Sequence, residues 1–384
     1  MKKILVLISF LVPVLLMAQD TLTNAKDSKY KFIKVASLDA LPVENQSISG
    51  TCWSFSALSF MESEMLRMGK EGINLSEMFV VNHAYEDKAK KYIRMHGTIN
   101  FGGGGAFHDI PYVIRNYGIV PEEVYSGINY GATYHDHREM DKMLKAMVDV
   151  VVSNPGKKLS PVWEDAIQSV INDYLGTIPK EFTYQGKKYT PKSFANSTGL
   201  DMDNYLELSS YTHHPFFSWF ILEVPDNWMW GEVFNVPLDD LIRTIDHALE
   251  NGYTVAWAAD VSEKGFSYRN GLAIVPEDPA TLDTKDETTP NAFLEPVPEK
   301  EITQEMRQEA FDNYETTDDH GMQITGLYRD ANGKKFYLVK NSWGTSNFDQ
   351  GYFFASEAYV RYKTMDIMIH RDALPKDLRK KIKD

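Results

Sequence analysis

Cysteine is almost absent from this chain of 384 residues, in which Cys52 is the only one. A single cysteine cannot form an intramolecular disulfide, so the fold has to be stabilised by packing alone. Cys52 is therefore either a small residue of the core or a chemically active thiol, and its neighbours in the sequence decide between the two.

Basic residues are in the minority, with 40 lysines and arginines against 54 aspartates and glutamates, and the formal net charge is −14. Binding of a nucleic-acid backbone requires clustered lysines and arginines, and the sequence shows no extended stretch of this kind. We therefore expect no nucleic-acid partner.

Motifs for metals and nucleotides are also missing. His135 and His137, and the pair His213 and His214, lack the helical spacing of zinc ligands, so we expect solvated or hydrogen-bonded histidines. The four glycines at 102–105 lack phosphate-loop spacing, and no Lys-Ser or Lys-Thr pair follows them. We accordingly predict no metal and no cofactor.

Long apolar runs are restricted to the N-terminus, where Lys2 and Lys3 precede the apolar residues 4–17 and Ala18 follows them. This order is typical of a secretory signal peptide, and the run is short for a bilayer span and contains Pro13. We predict a signal peptide at 1–18 and an exported product, periplasmic or secreted, with no membrane association after cleavage.

Cys52 lies where an active thiol would be expected. A turn at 49–51 precedes it, and apolar residues then recur at helical spacing up to Gly69, which places Cys52 in the first turn of a helix. The positive end of a helix favours thiolate over thiol. Six residues upstream, the Gln46 amide is a candidate donor that, with the Cys52 N–H, would stabilise a developing oxyanion.

A base and its orienting partner occur near the other end of the chain. His320 begins one predicted strand and Asn341 ends the next, with a turn at 330–333 between them, so both side chains emerge at the same end of a sheet. Asn341 would accept a hydrogen bond from the imidazole, and Trp343 would shield that bond from water. The set predicts nucleophilic catalysis by a thiol.

The ordered set Gln46, Cys52-Trp53, His320-Gly321 and Asn341-Ser342-Trp343 resembles the papain-like cysteine peptidases, and most of all their bleomycin hydrolase/aminopeptidase C family. Segments 74–79, 174–183, 189–194, 201–208 and 258–262 resemble this branch in matching order, and the resemblance covers roughly 40–375. It implies an α+β fold with two subdomains in one peptidase domain at 19–384. We place the helical subdomain at about 45–250 with a helical insertion at about 130–235, the β subdomain at about 251–372, and a tail at 373–384.

The resemblance also implies an activity and a substrate cleft. It assigns catalytic roles to Cys52, His320, Asn341 and Gln46. It assigns a substrate-binding wall to Gly103, Gly104, Trp53 and Trp343. Glycine permits close approach of a peptide backbone, as such a wall requires. The implied function is that of an aminopeptidase acting on peptides, with the carboxylate of the C-terminal residue, Asp384, facing the substrate amine, and possible assembly into a homohexamer.

Three alternatives remain at this stage. The cleft could be open at both ends, which would make the protein an endopeptidase. Transglutaminase-like acyltransferases also use a cysteine and a histidine, although they usually place an aspartate after the histidine where this chain has Asn341. A catalytically inactive, peptide-binding relative is the third alternative.

Overall fold

The computed structural model describes residues 21–154, 156, 158–283 and 289–382. The predicted signal peptide at 1–18 and the C-terminal Asp384 lie outside the described residues. Within these ranges, no helix has the length and apolar character needed to cross a membrane.

The first half of the described chain is mostly helical. In order, its elements are β1 (Thr21–Leu22), β2 (Phe32–Ser37), α1 (Cys52–Arg67), α2 (Glu77–Arg94), α3 (Asp109–Tyr117), α4 (Arg138–Val152), α5 (Trp163–Leu175), β3 (Phe182–Tyr184), β4 (Lys187–Tyr189) and α6 (Pro191–Thr198). Local signals set several of these bounds: Ser76 caps α2 by accepting a hydrogen bond from Phe79 N–H, and Thr190 caps α6, which begins at a proline.

The second half contributes most of the strands. Its elements are β5 (Tyr205–Ser209), β6 (Trp219–Ile221), β7 (Glu232–Asn235), α7 (Leu238–Glu250), β8 (Val255–Ala259), β9 (Phe266–Ser267), β10 (Leu272–Ala273), α8 (Gln304–Asp312), β11 (His320–Arg329), β12 (Lys335–Lys340), β13 (Tyr352–Ser356), α9 (Glu357–Lys363), β14 (Thr364–His370) and α10 (Lys376–Arg379). Short 3₁₀ turns lie at Met202–Asn204, Pro279–Leu282 and Arg371–Ala373.

One large sheet carries most of these strands, in the order β6-β7-β5-β14-β8-β11-β12-β13-β10-β9, with β2 attached to β11 and β1 to β2. The predicted hairpin is present: β11 and β12 pair antiparallel through a turn in which Asp330 Oδ1 accepts from the N–H groups of Asn332 and Lys334. Gly333 has a φ of +83°, which glycine adopts without strain. This hairpin brings His320 and Asn341 to the same end of the sheet.

Two large apolar cores stand out among the four apolar clusters of the described residues, and their division differs from the predicted subdomain boundary at residue 250. One core joins helices α1–α6, while the other joins the sheet to α7 and α9 and includes Leu208, Phe234 and Leu241. Strands β5–β7 and helix α7 therefore belong with the sheet, and the predicted helical insertion contains strands β3–β7 as well as helices α4–α6. The reason is that β5 pairs with β14, a long-range contact that local patterning does not reveal.

Helix α1 belongs to the helical core and is joined to the sheet by a buried polar network. The Gln323 side chain on β11 accepts from Ser59 Oγ at 2.7 Å and donates to Ser63 Oγ at 2.8 Å and Thr254 Oγ1 at 3.1 Å. Lys340 Nζ on β12 donates to Ser59 Oγ at 2.6 Å. These bonds fix the helix that begins at Cys52 against the two strands that carry His320 and Asn341.

Substituting Gln323→Ala tests this network. Because Gln323 is fully buried, its loss leaves the Ser63 and Thr254 hydroxyls without their partner, and we expect the free energy of unfolding to fall by about 1–3 kcal/mol. Denaturant unfolding of the variant and the parent protein gives this difference. A change below about 0.5 kcal/mol, the range of ordinary surface substitutions, would contradict the structural importance of the network.

Candidate active site

Cys52 is the first residue of α1, as predicted, and it lines a cleft between the helices and the sheet. Strand β11 passes close to this end of the helix at Gly321. A Cβ built on Gly321 would lie 2.6 Å from Ser56 Oγ and 3.3 Å from the Cys52 carbonyl oxygen, so a side chain here would push strand and helix apart. The close approach places His320, which precedes Gly321, in the lining of the same cleft.

His320 is held in one orientation by two neighbours. Its Nε2 lies 2.7 Å from Asn341 Oδ1, which also accepts from the Ser342 N–H at 2.7 Å. Since that oxygen already receives the Ser342 N–H, the Nε2 of His320 donates to it, and Nδ1 is left as the proton acceptor. The Trp343 ring stacks on the imidazole at a centroid distance of 4.6 Å and covers this hydrogen bond. The predicted pairing of His320 with Asn341 is therefore present.

Gln46 is fixed by the same segment. Its Oε1 accepts from Ser342 Oγ at 2.6 Å, its backbone N–H donates to the Ser342 carbonyl at 2.9 Å, and its Nε2 donates to the Ser49 carbonyl at 2.8 Å. An amide nitrogen carries two hydrogens, so one N–H of Gln46 remains for a further acceptor. The side chain is buried and does not itself line the cleft of the unliganded protein.

Of the two glycines predicted for the substrate wall, one lines the cleft and the other does not. Gly104 lines the cleft as expected, and so does Gly105, whereas Gly103 packs against Gly50 and accepts from Trp53 Nε1 at 3.0 Å. A Cβ on Gly105 would lie 2.8 Å from the Trp53 ring, so glycine is required at this position. The spacing of the four glycines carried no signal for which pair would face the cleft.

The two tryptophans assigned to the wall have different positions. Trp53 lines the cleft. Trp343 is not among the lining residues and covers His320 instead. Of the eight residues predicted for the site, Cys52, Trp53, Gly104 and His320 line the cleft, while Gln46, Gly103, Asn341 and Trp343 support these four from outside it.

Burial dominates the protonation of the central pair. It raises the pKa of Cys52 to about 12, the N–H groups of Gly321 and Trp53 lower it, and the charges of Asp318 and Asp226 raise it. Burial likewise lowers the pKa of His320 to about 4 against the opposing effect of Asn341. Both shifts favour the neutral form of each group taken singly, whereas the helix end favours the thiolate. Transfer of the thiol proton to the imidazole would create two opposite charges that stabilise each other.

Five acidic residues of the cleft were not identified as site residues from the sequence: Glu207, Asp226, Asp318, Asp319 and Asp366 line it together with His108. Asp318 lies two residues before His320, so the sequence itself indicates that it is near His320. Asp226 comes from the connection between β6 and β7, and Glu207 and Asp366 come from β5 and β14, which meet only through the pairing of these strands. No local pattern indicates that contact.

Of the histidines considered as metal ligands, His213 and His214 are hydrogen-bonded. His135 and His137 are instead buried, and neither ring nitrogen of His137 has a hydrogen-bond partner among the described residues, contrary to the prediction. His213 Nε2 and His214 Nε2 lie 2.9 and 3.0 Å from the two oxygens of Glu223, and these are the described groups whose ligand atoms lie within 4.8 Å of one another. Gln308 Nε2 donates to His213 Nδ1, and Gln308 Oε1 is already engaged by the Thr212 N–H. A donor facing Nδ1 keeps the proton on Nε2, and this arrangement opposes a metal ion there.

Comparisons with known proteins agree with this architecture. A family model described as the Peptidase C1-like family matches residues 77–384, a range that contains His320 and Asn341. The chain is 25% identical over 378 residues to "Aminopeptidase C" of Lactococcus lactis subsp. lactis (strain IL1403), covering 88% of this chain and 82% of that protein. It is 22% identical over 420 residues to "Cysteine proteinase 1, mitochondrial" of Saccharomyces cerevisiae (strain JAY291), covering 95% and 82%.

A solved structure shows the same fold. The crystal structure of PepW from Lactobacillus rhamnosis HN001 superposes with a TM-score of 0.70 at 21% identity, covering 91% of this chain and 84% of that one. The predicted α+β papain-like fold is thereby confirmed.

Removing the imidazole should suppress the reactivity of the thiol. In His320→Ala, Cys52 keeps its raised pKa but loses its base, and each unit by which a thiol pKa exceeds the pH lowers the thiolate fraction about tenfold. We expect alkylation of Cys52 by iodoacetamide at pH 7 to slow by on the order of tenfold or more. His96→Ala, at the C-terminal end of α2, is the matched control. Equal rates in the two variants would show that His320 does not activate Cys52.

Proposed function

This chain belongs to the Peptidase C1-like family, and on that premise we propose that it is a thiol-dependent aminopeptidase with Cys52 as nucleophile and His320 as base. The observation that carries the proposal is the bond of 2.7 Å between His320 Nε2 and Asn341 Oδ1, covered by Trp343, in a cleft that Cys52 also lines. Relatives with matching length are named aminopeptidases C, which supports the exopeptidase assignment for this chain.

The first half of the reaction forms an acyl-enzyme. His320 Nδ1 takes the thiol proton, and Cys52 Sγ attacks the carbonyl carbon of the scissile bond. The Cys52 N–H and the remaining N–H of Gln46 stabilise the oxyanion of the tetrahedral intermediate. As the C–N bond breaks, the imidazolium gives its proton to the leaving amine, and a thioester with Cys52 remains.

The second half regenerates the enzyme. Neutral His320 takes a proton from a water molecule, the hydroxide attacks the thioester carbonyl, and the C–S bond breaks to release the acid. The departing thiolate regains its proton from the imidazolium, so the initial state returns without a net change in the protein. Asn341 keeps Nδ1 directed at the reacting atoms through both halves.

The Cys-His-Asn set also favours hydrolysis over the other functions. An asparagine fixes the histidine here, whereas transglutaminase-like enzymes usually have an aspartate in that place. The complete set of nucleophile, base and orienting amide argues against an inactive, peptide-binding relative.

The proposals about export, partners and assembly depend on the sequence alone. We propose cleavage of the signal peptide at 1–18 and an exported, soluble enzyme that acts on peptides and binds no nucleic acid. The homohexamer implied by the family resemblance stays an expectation. So does the role of the C-terminal carboxylate, because Asp384 lies outside the described residues.

The activity can be tested with aminoacyl coumarylamides, each with a free or an N-acetylated amine, under reducing conditions on the protein from residue 19 onward. We expect cleavage of the free-amine substrates, and a loss of roughly 10⁴- to 10⁶-fold in kcat for Cys52→Ala, the range found when a catalytic group is deleted.

Two results would contradict the proposal in different ways. Equal cleavage of the blocked substrates would mean an endopeptidase. Absence of any cleavage that depends on Cys52 would remove the enzymatic assignment.

A further inference from the structure

The cleft contains more negative charge than the reaction uses. Five carboxylates line it: Glu207, Asp226, Asp318, Asp319 and Asp366. Among the described residues of the lining, the side chains that can become positive are His108 and His320. The excess charge lies beside the nucleophile, because Asp318 and Asp226 both raise the pKa of Cys52.

Three of these carboxylates have partners within the protein. Glu207 lies 3.1 Å from His108 Nδ1; burial lowers the pKa of His108, but Glu207 outweighs this effect and raises it to about 9. Asp226 accepts from Asn100 Nδ2 at 2.9 Å. Asp319 accepts from the N–H groups of Val261 and Ser262 and from the Thr317 hydroxyl.

Of the other two, Asp366 has an unpaired buried oxygen and Asp318 is half-exposed. Asp366 is only 7% exposed and its Oδ1 has no hydrogen-bond partner. Burial raises its pKa well above the usual range; the charges of Glu207 and Asp318 add to this effect, and those of His108 and Arg307 oppose it. Burial also raises the pKa of Asp318 to about 7, with contributions from Asp226 and Asp319. A buried acceptor without a donor is costly, so Asp366 is suited to accept a hydrogen bond from a donor that enters the cleft.

The sheet places the carboxyls of Asp366 and Asp318 around a floor of small residues in the cleft. Asp366 on β14 pairs with Ala258 on β8, and Ala258 pairs with Gly321 on β11, so these three residues form one row across the sheet. All three line the cleft, and Asp318 enters it from the segment before β11. The small residues in the row leave space between the carboxylates and Cys52.

A single metal ion does not fit this arrangement. Among the described residues, no three of the cleft acids bring their ligand atoms within 4.8 Å of one another. The carboxylates surround a larger space than one ion fills, and this suits an organic cation that presents several N–H donors.

We propose that Asp318 and Asp366, together with Asp226 at the Gly104 wall, form a subsite that binds a cationic group of the peptide substrate. Asp226 lies directly against the wall, since a Cβ built on Gly104 would lie 1.8 Å from Asp226 Oδ2. The cation is an ammonium or guanidinium, supplied either by the free N-terminus of the peptide or by a lysine or arginine side chain. The inference rests on the proposed function and names its substrate class.

The family resemblance implies that the C-terminal carboxylate faces the substrate amine. In this subsite, aspartate side chains would take that role instead. The described part of the tail does not reach the cleft: Asp377 pairs with Arg243 on α7, Leu378 is buried in the sheet core, and Lys381 Nζ lies over the Phe217 ring. None of the described residues 373–382 lines the cleft.

Four substrates separate the two sources of the cation: lysyl and norleucyl coumarylamide, each with a free and an N-acetylated amine. Norleucine keeps the length of lysine without its charge. If the N-terminus fills the subsite, both free substrates are cleaved faster than both blocked ones. If the side chain fills it, both lysyl substrates are cleaved faster than both norleucyl ones.

Asp318→Asn and Asp366→Asn then test the residues. Loss of a charged hydrogen-bond partner is expected to lower kcat/KM for the preferred cationic substrates on the order of 10- to 100-fold. Asp173→Asn, an exposed position on α5, makes the same charge change away from the cleft and is the matched control. Alkylation of Cys52 in Asp318→Asn should be no slower than in the control, because Asp318 raises the pKa of the thiol.

The outcomes distinguish failure of the proposed function from failure of the proposed subsite. Cleavage of none of the four substrates by the parent protein would overturn the proposed function. The subsite alone would be overturned by Cys52-dependent cleavage that shows no preference for the cationic substrates. It would also be overturned if both aspartate variants retained such a preference. If the buried Asp366→Asn does not fold, as judged by thermal unfolding, the half-exposed Asp318→Asn decides.

Discussion

The contact between the first turn of α1 and the start of β11 is the constraint on which the site depends. Gly321 allows the strand to approach the Cys52 carbonyl closely, and the Gln323 and Lys340 side chains join the strands to serines of the helix through buried hydrogen bonds. Thiol and imidazole come from segments separated by 268 residues, and this interface brings both into one cleft. The interface consists of buried polar groups, each of which needs its hydrogen-bond partner, so it specifies one arrangement of the two cores.

Electrostatics in the cleft follow from burial. Desolvation makes isolated charges unfavourable: it raises the pKa of Cys52, lowers the pKa of His320 and raises the pKa values of the Asp318 and Asp366 carboxyls. A substrate cation would stabilise both carboxylates and, in doing so, weaken their effect on the pKa of Cys52. Binding of the correct substrate and activation of the thiol would therefore support each other.

Local sequence features were sufficient to predict the placement of Cys52 and the pairing of His320 with Asn341. A helix start at Cys52 and a hairpin between His320 and Asn341 are short-range patterns, and the structure has both. The joining of β5–β7 to the sheet, and with it the position of Asp366, depends on strand pairing between distant segments and leaves no local signal. Gly103 was assigned to the substrate wall for the same reason, since only the packing of Trp53 against Gly105 fixes which glycines face the cleft.

The most direct test of the account is a crystal structure of the protein from residue 19 onward with lysine aldehyde, whose carbonyl forms a reversible adduct with a nucleophilic thiol. The account predicts a bond between Cys52 Sγ and the aldehyde carbon, with the oxygen within hydrogen-bond reach of the Cys52 N–H and the Gln46 amide, and an ammonium group facing Asp318 and Asp366. An aldehyde bound without a bond to Cys52, or an adduct whose oxygen points away from Gln46, would contradict it.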